Sequence, residues 1–205
     1  MPIQVSPAPI FIYGGSTASG ICGIQFAKLA GLTVITTASP SNAEYLRGLG
    51  ADFVIDYHSP TLVEDIRQVI SGHLEHAWDC RPSDDSAALC AELLSTNGKA
   101  KYNTLLGFTA DIVKKLNPTV ETSTTMAYTA FGEPWFWEEE QPAVPEDFEL
   151  AKQMIRISED LLAQGKLKPP KIYLDRGGSG LAGVLHGIDE LRNNRVSGGK
   201  LVYTM

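Results

Sequence analysis

Short β-branched apolar runs alternate with helix-period stretches along most of this chain, and glycine or proline stands where one pattern gives way to the other. Ile10-Phe11-Ile12-Tyr13 is the first run and stops at Gly14-Gly15, which predicts a strand turning into a helix. Ile21, Ile24, Phe26, Ala27, Leu29 and Ala30 then form a broad helical stripe, closed by Gly31 as C-terminal cap. Thr33-Val34-Ile35-Thr36-Thr37 predicts a second strand. Ser39-Pro40-Ser41-Asn42 reads as an N-cap with proline in the first turn, so a helix is expected from Pro40 to Leu49, with Gly50 capping it. Phe53-Val54-Ile55 completes a β-α-β-α-β unit, the signature of a parallel sheet.

The alternation predicts further helices near Thr61–Ser71 and Ser86–Ser95, and strands at Ala77–Asp79 and Lys99–Leu105 in the same sheet. Residues 117–145 break the rhythm with Pro118, Pro134, Pro142 and Pro145 and read as a long loop. Beyond it, a helix Asp147–Gln164, a strand Lys171–Leu174, a helix Gly180–Asn193 and a final strand Lys200–Tyr203 are expected. The fold class is therefore α/β: a doubly wound, Rossmann-like parallel sheet with helices on both faces.

Composition narrows the function classes. The 205 residues carry 17 Lys+Arg against 24 Asp+Glu, a net charge of −7, which repels phosphate backbones and anionic lipid; nucleic acid and membrane are not expected partners. The opening stretch has no cationic leader, and no window approaches the roughly 18 apolar residues that a membrane span needs. Cys22, Cys80 and Cys90 are odd in number and lack CxxC spacing, so neither a disulfide framework nor a zinc site is indicated, and a reducing, cytoplasmic setting is expected.

Candidate chemistry sits first at Gly14-Gly15-Ser16-Thr17-Ala18-Ser19-Gly20, after a strand and at the opening of a helix. Small residues let a backbone approach a pyrophosphate, and the helix N-terminus offsets its charge. The spacing is Gly-x-x-Thr-x-x-Gly rather than GxGxxG, which places the hydroxyls of Ser16, Thr17 and Ser19 at the turn. A glycine turn without a ligand is the plainer reading, which the flanking β-α-β-α-β pattern outweighs. An NAD site would place an acid at the end of the second strand to hold the ribose 2'-OH; Thr36-Thr37-Ala38-Ser39 has none, which suits the 2'-phosphate of NADP(H). Ser39, Asn42, backbone N–H groups and Tyr57 would hold it, although the Ser-Pro pair is also an ordinary cap.

The segments YGGSTASG, SPSN, GADFVIDY and SGGKLVYTM, in this order, resemble the medium-chain dehydrogenase/reductase superfamily. Within it the chain is most similar to the zinc-independent, trans-acting enoyl reductases of fungal polyketide biosynthesis. The resemblance implies NADPH-dependent reduction of the α,β-double bond of a polyketide thioester, with a polyketide synthase as partner. It implies a phosphate-binding turn at Ser16, Thr17, Ala18 and Ser19, and a 2'-phosphate and adenosine end at Ser39, Pro40, Ser41, Asn42 and Tyr57. Thr104 and Leu105 would lie along the nicotinamide half of the cofactor, and Val196 and Ser197 near its far end. Met126, Ala127, Tyr128, Thr129 and Ala130, ahead of Phe131-Gly132-Glu133, would line the acyl pocket, with Tyr128 as a candidate general acid or simply pocket wall.

Family chains carry a GroES-like catalytic domain ahead of the first nucleotide-binding strand. The expected organisation here is an NADP-binding domain over residues 1–195 and, at 196–205, a strand that in the family returns to that catalytic domain. Unpaired, this strand would drive formation of a homo-oligomer or fold differently. A non-catalytic cofactor-binding or synthase-docking module and a redox-neutral isomerase or cyclase reusing the polyketide pocket stand as alternatives to the reductase.

Three other constellations are set aside. His73 and His76 with Asp79 and Cys80 straddle a strand whose alternation separates neighbouring side chains, so no metal is assigned. Gly177-Gly178-Ser179-Gly180 lacks the spacing of a nucleophile elbow. Glu138-Glu139-Glu140 reads as a solvated face, and Trp135-Phe136-Trp137 as either a hydrophobic plug or a docking patch.

Overall fold

A β-branched strand with apolar residues at successive positions must be covered on both faces, and this requirement organises the sheet. The computed structural model describes residues 7–205; residues 1–6, part of the stretch read for a leader, lie outside the described residues. Strands β1 (Pro9–Tyr13), β2 (Thr33–Thr37), β3 (Phe53–Ile55), β4 (His76–Asp79), β5 (Lys101–Thr104) and β6 (Glu121–Thr124) form a six-stranded sheet in the order β3-β2-β1-β4-β5-β6. The pairings β1–β2, β2–β3, β1–β4 and β4–β5 are parallel. This is the doubly wound order, which reverses direction between β1 and β4.

Period-two alternation divides the core. Phe11, Ile35, Ala77 and Tyr102 point to one face, where they pack with Ile66 of α3 (Leu62–Val69), Ala87 and Cys90 of α4 (Asp84–Leu93) and Val113 of α5 (Gly107–Leu116). Ile12 and Val34 point to the other, against Ile21 and Ile24 of α1 (Ala18–Leu29) and Leu46 of α2 (Ala43–Gly48). Each such fully buried aliphatic side chain contributes about 1.5–3 kcal/mol of transfer free energy.

Two local readings need correction. Residues 117–145, expected as a loop, contain β6, a 3-10 turn at Ala127–Phe131 and a hairpin of β7 (Trp135–Trp137) with antiparallel β8 (Glu139–Gln141). Glu121-Thr122-Ser123-Thr124 is polar because β6 is a sheet-edge strand, so backbone pairing rather than apolar periodicity defines it. The helix expected from Pro40 is a 3-10 turn, Pro40–Asn42, followed by α2; Ser39 has the extended N-cap backbone but makes no side-chain cap bond.

Helix α4 begins two residues earlier than the apolar stripe suggests, because Ser83 forms a reciprocal cap: Ser86 N–H donates to Ser83 Oγ (3.1 Å) and Ser83 N–H to Ser86 Oγ (2.8 Å). Ser83→Ala is expected to cost about 1 kcal/mol. Urea denaturation checks this; an unchanged midpoint would show that the cap adds nothing.

The described residues divide into two compact units. One joins the chain up to Ser123 with Pro169–Met205, and the other is Thr124–Lys168. In the first, β9 (Lys171–Leu174) and β10 (Gly199–Val202) pair in parallel as a separate two-stranded sheet, connected by α7 (Gly180–Arg192). The closing strand is thus paired on one side, while Ile172, Leu174 and Val202 stay exposed. Glu190 of α7 is buried between Arg176 (2.6 Å) and Arg195 (3.1 Å), which ties this β-α-β segment together.

The second unit packs α6 (Pro145–Ala163) against the 3-10 turn. Gly132, at φ 74°, is left-handed, and the Phe148 ring fills the place a Cβ would need. The Tyr128 ring stacks on Trp135 at 4.9 Å, whereas Phe136 and Trp137 are exposed, so those two do not form a plug.

Candidate functional site

A parallel sheet places its loops at the carboxyl edge, and a crevice opens where neighbouring connections leave in opposite directions. A cleft of about 460 Å³ lies there in the first unit, within the range of about 300–1,000 Å³ usual for small-ligand sites. Its walls come from the residues after β1, β2, β3 and β4, together with the loop between α7 and β10.

The glycine turn forms the floor. Gly14 takes φ 79°, its N–H is held by Thr37 Oγ1 (3.1 Å), and Gly15 N–H is held by Thr37 O (2.9 Å). A Cβ at Gly15 would collide with Thr36 Oγ1, and one at Gly20 with the carbonyl of Gly14, so the turn can lie this close to β2 and α1 only as glycine. Thr17 is the N-cap of α1: its hydroxyl accepts from Gly20 N–H (3.0 Å) and donates to Gly14 O (2.8 Å). Thr17 lines the cleft, but its single hydroxyl hydrogen is committed to the turn, so it shapes the site rather than donating to a ligand. The first-turn N–H groups of Ala18 and Ser19 are ones a helix leaves without internal acceptors.

Of the residues singled out in the sequence, Ser16, Thr17, Ala18, Ser39, Tyr57, Val196 and Ser197 line this one cleft. Ser19, Pro40, Ser41, Asn42, Thr104 and Leu105 do not. Asn42 acts beside it, donating from Nδ2 to Ser39 Oγ (3.1 Å) and Ser197 Oγ (2.8 Å), and so fastens the late loop to the turn after β2. Thr104 is fully buried with its hydroxyl bonded to Thr109 Oγ1 (2.7 Å), and Leu105 packs into the α1 side of the core. Met126, Ala127, Tyr128, Thr129 and Ala130 belong to the second unit, where Thr129 Oγ1 donates to Met126 O (2.8 Å) and Tyr128 is half-exposed.

Sequence reading missed Tyr13, Arg81 and Asn194, which also line the cleft. Tyr13 and Arg81 directly end strands β1 and β4 or follow them closely, which is the signal that could have found them. Burial, then the Asp79 carboxyl, push the Tyr13 phenol up, so it stays protonated and able to donate. Asp79 is fully buried below the cleft. It accepts from Ser86 Oγ (2.5 Å), Tyr102 OH (2.9 Å) and Arg81 N–H (3.1 Å), yet burial outweighs these donors and raises its carboxyl.

The lining holds glycine, small hydroxyl and amide groups, two phenols and one cation, with no carboxylate among the described residues. That donor set fits an anionic dinucleotide. It does not fit a metal: no group of three His, Cys, Asp or Glu side chains lies together among the described residues, and burial drives the Cys80 and Cys90 thiols up, away from the thiolate a metal binds.

Residues 18–149 match the family model described as zinc-binding dehydrogenase. The chain is 39% identical over 207 residues to the trans-enoyl reductase resD of Aspergillus sclerotiorum, covering 98% of this chain and 56% of that protein. It is 34% identical to a trans-enoyl reductase of Gibberella fujikuroi, covering 100% of this chain and 58% of that one. It thus spans little more than half the length of these relatives. Among solved structures, the quinone oxidoreductase of Coxiella burnetii superposes with a TM-score of 0.66 at 24% identity, over 98% of this chain and 54% of that one. The CurK enoyl reductase does so with 0.69 at 18% identity, over 98% and 56%. At these identities the likeness concerns the fold.

Proposed function

This chain belongs to the zinc-binding dehydrogenase family of the medium-chain dehydrogenase/reductase superfamily, and from that premise we propose that it binds NADPH in the cleft as the cofactor-binding part of a trans-acting enoyl reductase. The observation that carries this reading is an acid-free cleft over a glycine turn at the switch point of a doubly wound sheet. The open amides of Ala18 and Ser19 and the hydroxyl of Ser16 receive the pyrophosphate. Ser39 and Tyr57 face the ribose end, where the absence of a carboxylate lets a 2'-phosphate approach without like-charge repulsion. Val196 and Ser197 close over the cofactor, positioned by Asn42.

When bound, NADPH supplies a hydride for the β-carbon of an enoyl thioester, with a proton added at the α-carbon. The chain's own part is to bind, orient and exclude water. We assign the acyl contacts to Met126, Ala127, Tyr128, Thr129 and Ala130, with a polyketide-type thioester as substrate and a polyketide synthase as partner. This assignment follows the family resemblance of the sequence; the names of the relatives support the enoyl reductase class. Among the described residues no helix is long and apolar enough to cross a membrane. The exposed apolar side chains of β9 and β10 support a homo-oligomer.

Titrating the protein against NADPH and NADH, followed by nicotinamide fluorescence, tests the cofactor assignment. NADPH is expected to bind more tightly. Ser39→Asp places a carboxylate at the ribose end and is expected to weaken NADPH about tenfold while leaving NADH within about twofold. Equal weakening of both would remove Ser39 from the 2'-phosphate. Consumption of NADPH on adding an enoyl thioester then separates a reductase from a module that only binds.

A further inference from the structure

A 2'-phosphate carries up to two negative charges, and placing it in a cleft among neutral hydroxyls is costly unless a cation meets it. The pyrophosphate has its own offset in the N-terminus of α1. The ribose end, at Ser39 and Tyr57, has only neutral side chains. Arg81 is the one cationic side chain lining the cleft among the described residues, and its guanidinium makes no ion pair with any of them.

Its backbone is fixed for a task at this edge. Arg81 N–H donates to the buried Asp79 carboxyl, and the preceding Cys80 N–H donates to Tyr13 O (3.0 Å), so the turn after β4 is stitched to the end of β1. Arg81 Cβ lies only 3.0 Å from where a Cβ at Gly14 would stand. The bare glycine therefore clears the space between the end of β4 and the end of β2. These ends are two strand spacings apart, about 10 Å, a gap that an extended arginine and a phosphate ester can bridge together.

We propose that Arg81, reaching across Gly14, is the residue that selects the 2'-phosphorylated cofactor, pairing its guanidinium with the phosphate opposite Ser39. The planar fork of arginine suits two parallel bonds to one phosphate, which a lysine cannot reproduce. The inference rests on the NADPH reading above and deepens it by naming the specificity-determining cation.

The test uses 2',5'-ADP and 5'-AMP, which differ only in that phosphate and need no nicotinamide site, measured by calorimetry on the full chain. The wild-type protein is expected to favour 2',5'-ADP. Arg81→Gln is expected to weaken 2',5'-ADP by about 10- to 100-fold and to leave 5'-AMP within about twofold. Arg81→Lys should recover part of the loss, and raising salt should weaken 2',5'-ADP more in the wild type than in Arg81→Gln. Arg81 is exposed, so its replacement leaves the core intact, and an unchanged circular dichroism melt confirms that. Equal weakening of both nucleotides would move Arg81 to the shared 5'-phosphate or adenine and overturn the proposal; no weakening would overturn it too. In either case NADPH binding by the wild type would leave the cofactor reading standing. A wild type that binds neither NADPH nor 2',5'-ADP would overturn both.

Discussion

Gly20→Ala is expected to cost about a hundredfold in dinucleotide affinity and about 1–2 kcal/mol in stability, although alanine is the better helix former. Helix propensity alone would favour alanine by about 1 kcal/mol. Against that, the new Cβ meets backbone: the Gly14 carbonyl, Gly15 Cα at 2.8 Å and Gly15 C at 3.0 Å. Backbone cannot rotate away as a side-chain tip can, so the turn must move from α1, and overpacking of this kind costs about 1–3 kcal/mol or occasionally more. On the proposed cofactor reading, the movement would carry Ser16 and the Ala18 and Ser19 amides off the pyrophosphate. Losing one or two bonds to a charged group, at about 1.5–3 kcal/mol each, accounts for the expected affinity loss. Gly48→Ala is the control, since nothing lies within 4 Å of its Cβ position in helix α2. It should stabilise the protein by up to about 1 kcal/mol and leave binding unchanged. If Gly20→Ala bound NADPH like the wild type, the turn would not be the pyrophosphate site.

Asp79→Ala is expected to be the most destabilising single change, at about 3–5 kcal/mol, because it strands the buried Tyr102 OH, leaves a gap beside the buried Ser86, whose hydroxyl keeps only Ser83 O as acceptor, and removes the acceptor of Arg81 N–H. Asp79→Asn keeps one acceptor oxygen and should cost less. The pair also has a pH signature. The folded protein raises the Asp79 carboxyl above its ordinary value of 3.8, through burial first. A raised carboxyl means that the folded state holds its proton more tightly than the unfolded chain does. Its favourable contribution is therefore complete below the ordinary value and is lost as pH climbs through the raised one. The penalty of Asp79→Asn relative to wild type should shrink as pH rises from about 4 towards neutrality. Denaturation midpoints of both proteins across that range check the sign; a penalty that grows with pH would mean the hydrogen bonds, not burial, dominate this carboxyl.

Much of the fold was legible because burial on both sides of a parallel sheet leaves a mark at every strand. Phe11 and Ile12, or Val34 and Ile35, are adjacent and both apolar because they face opposite helical layers. Where the physical cause was different, the pattern was silent. Edge strand β6 has no layer to cover, and Glu139-Glu140-Gln141 is a strand only because Trp135-Phe136-Trp137 pairs with it. In the site, Ser16, Ser39 and Tyr57 were readable because each follows a strand that the pattern identifies. Arg81 follows such a strand too, but Cys80-Arg81-Pro82 fits no recognised motif, and only the folded chain brings it against Gly14.

Sequence by itself determined five strands of the sheet with their alternation, the glycine turn and the missing acid after β2, because periodicity, small residues and charge act locally along the chain. The tertiary structure alone decided which hydroxyls are free and which are spent. Thr17 is consumed by its own helix cap and Thr104 by Thr109, while Asn42 ties Ser39 to Ser197, which lies 155 positions beyond Asn42. A hydroxyl has a single hydrogen to give, and what it is given to depends on neighbours that only packing brings within about 3 Å.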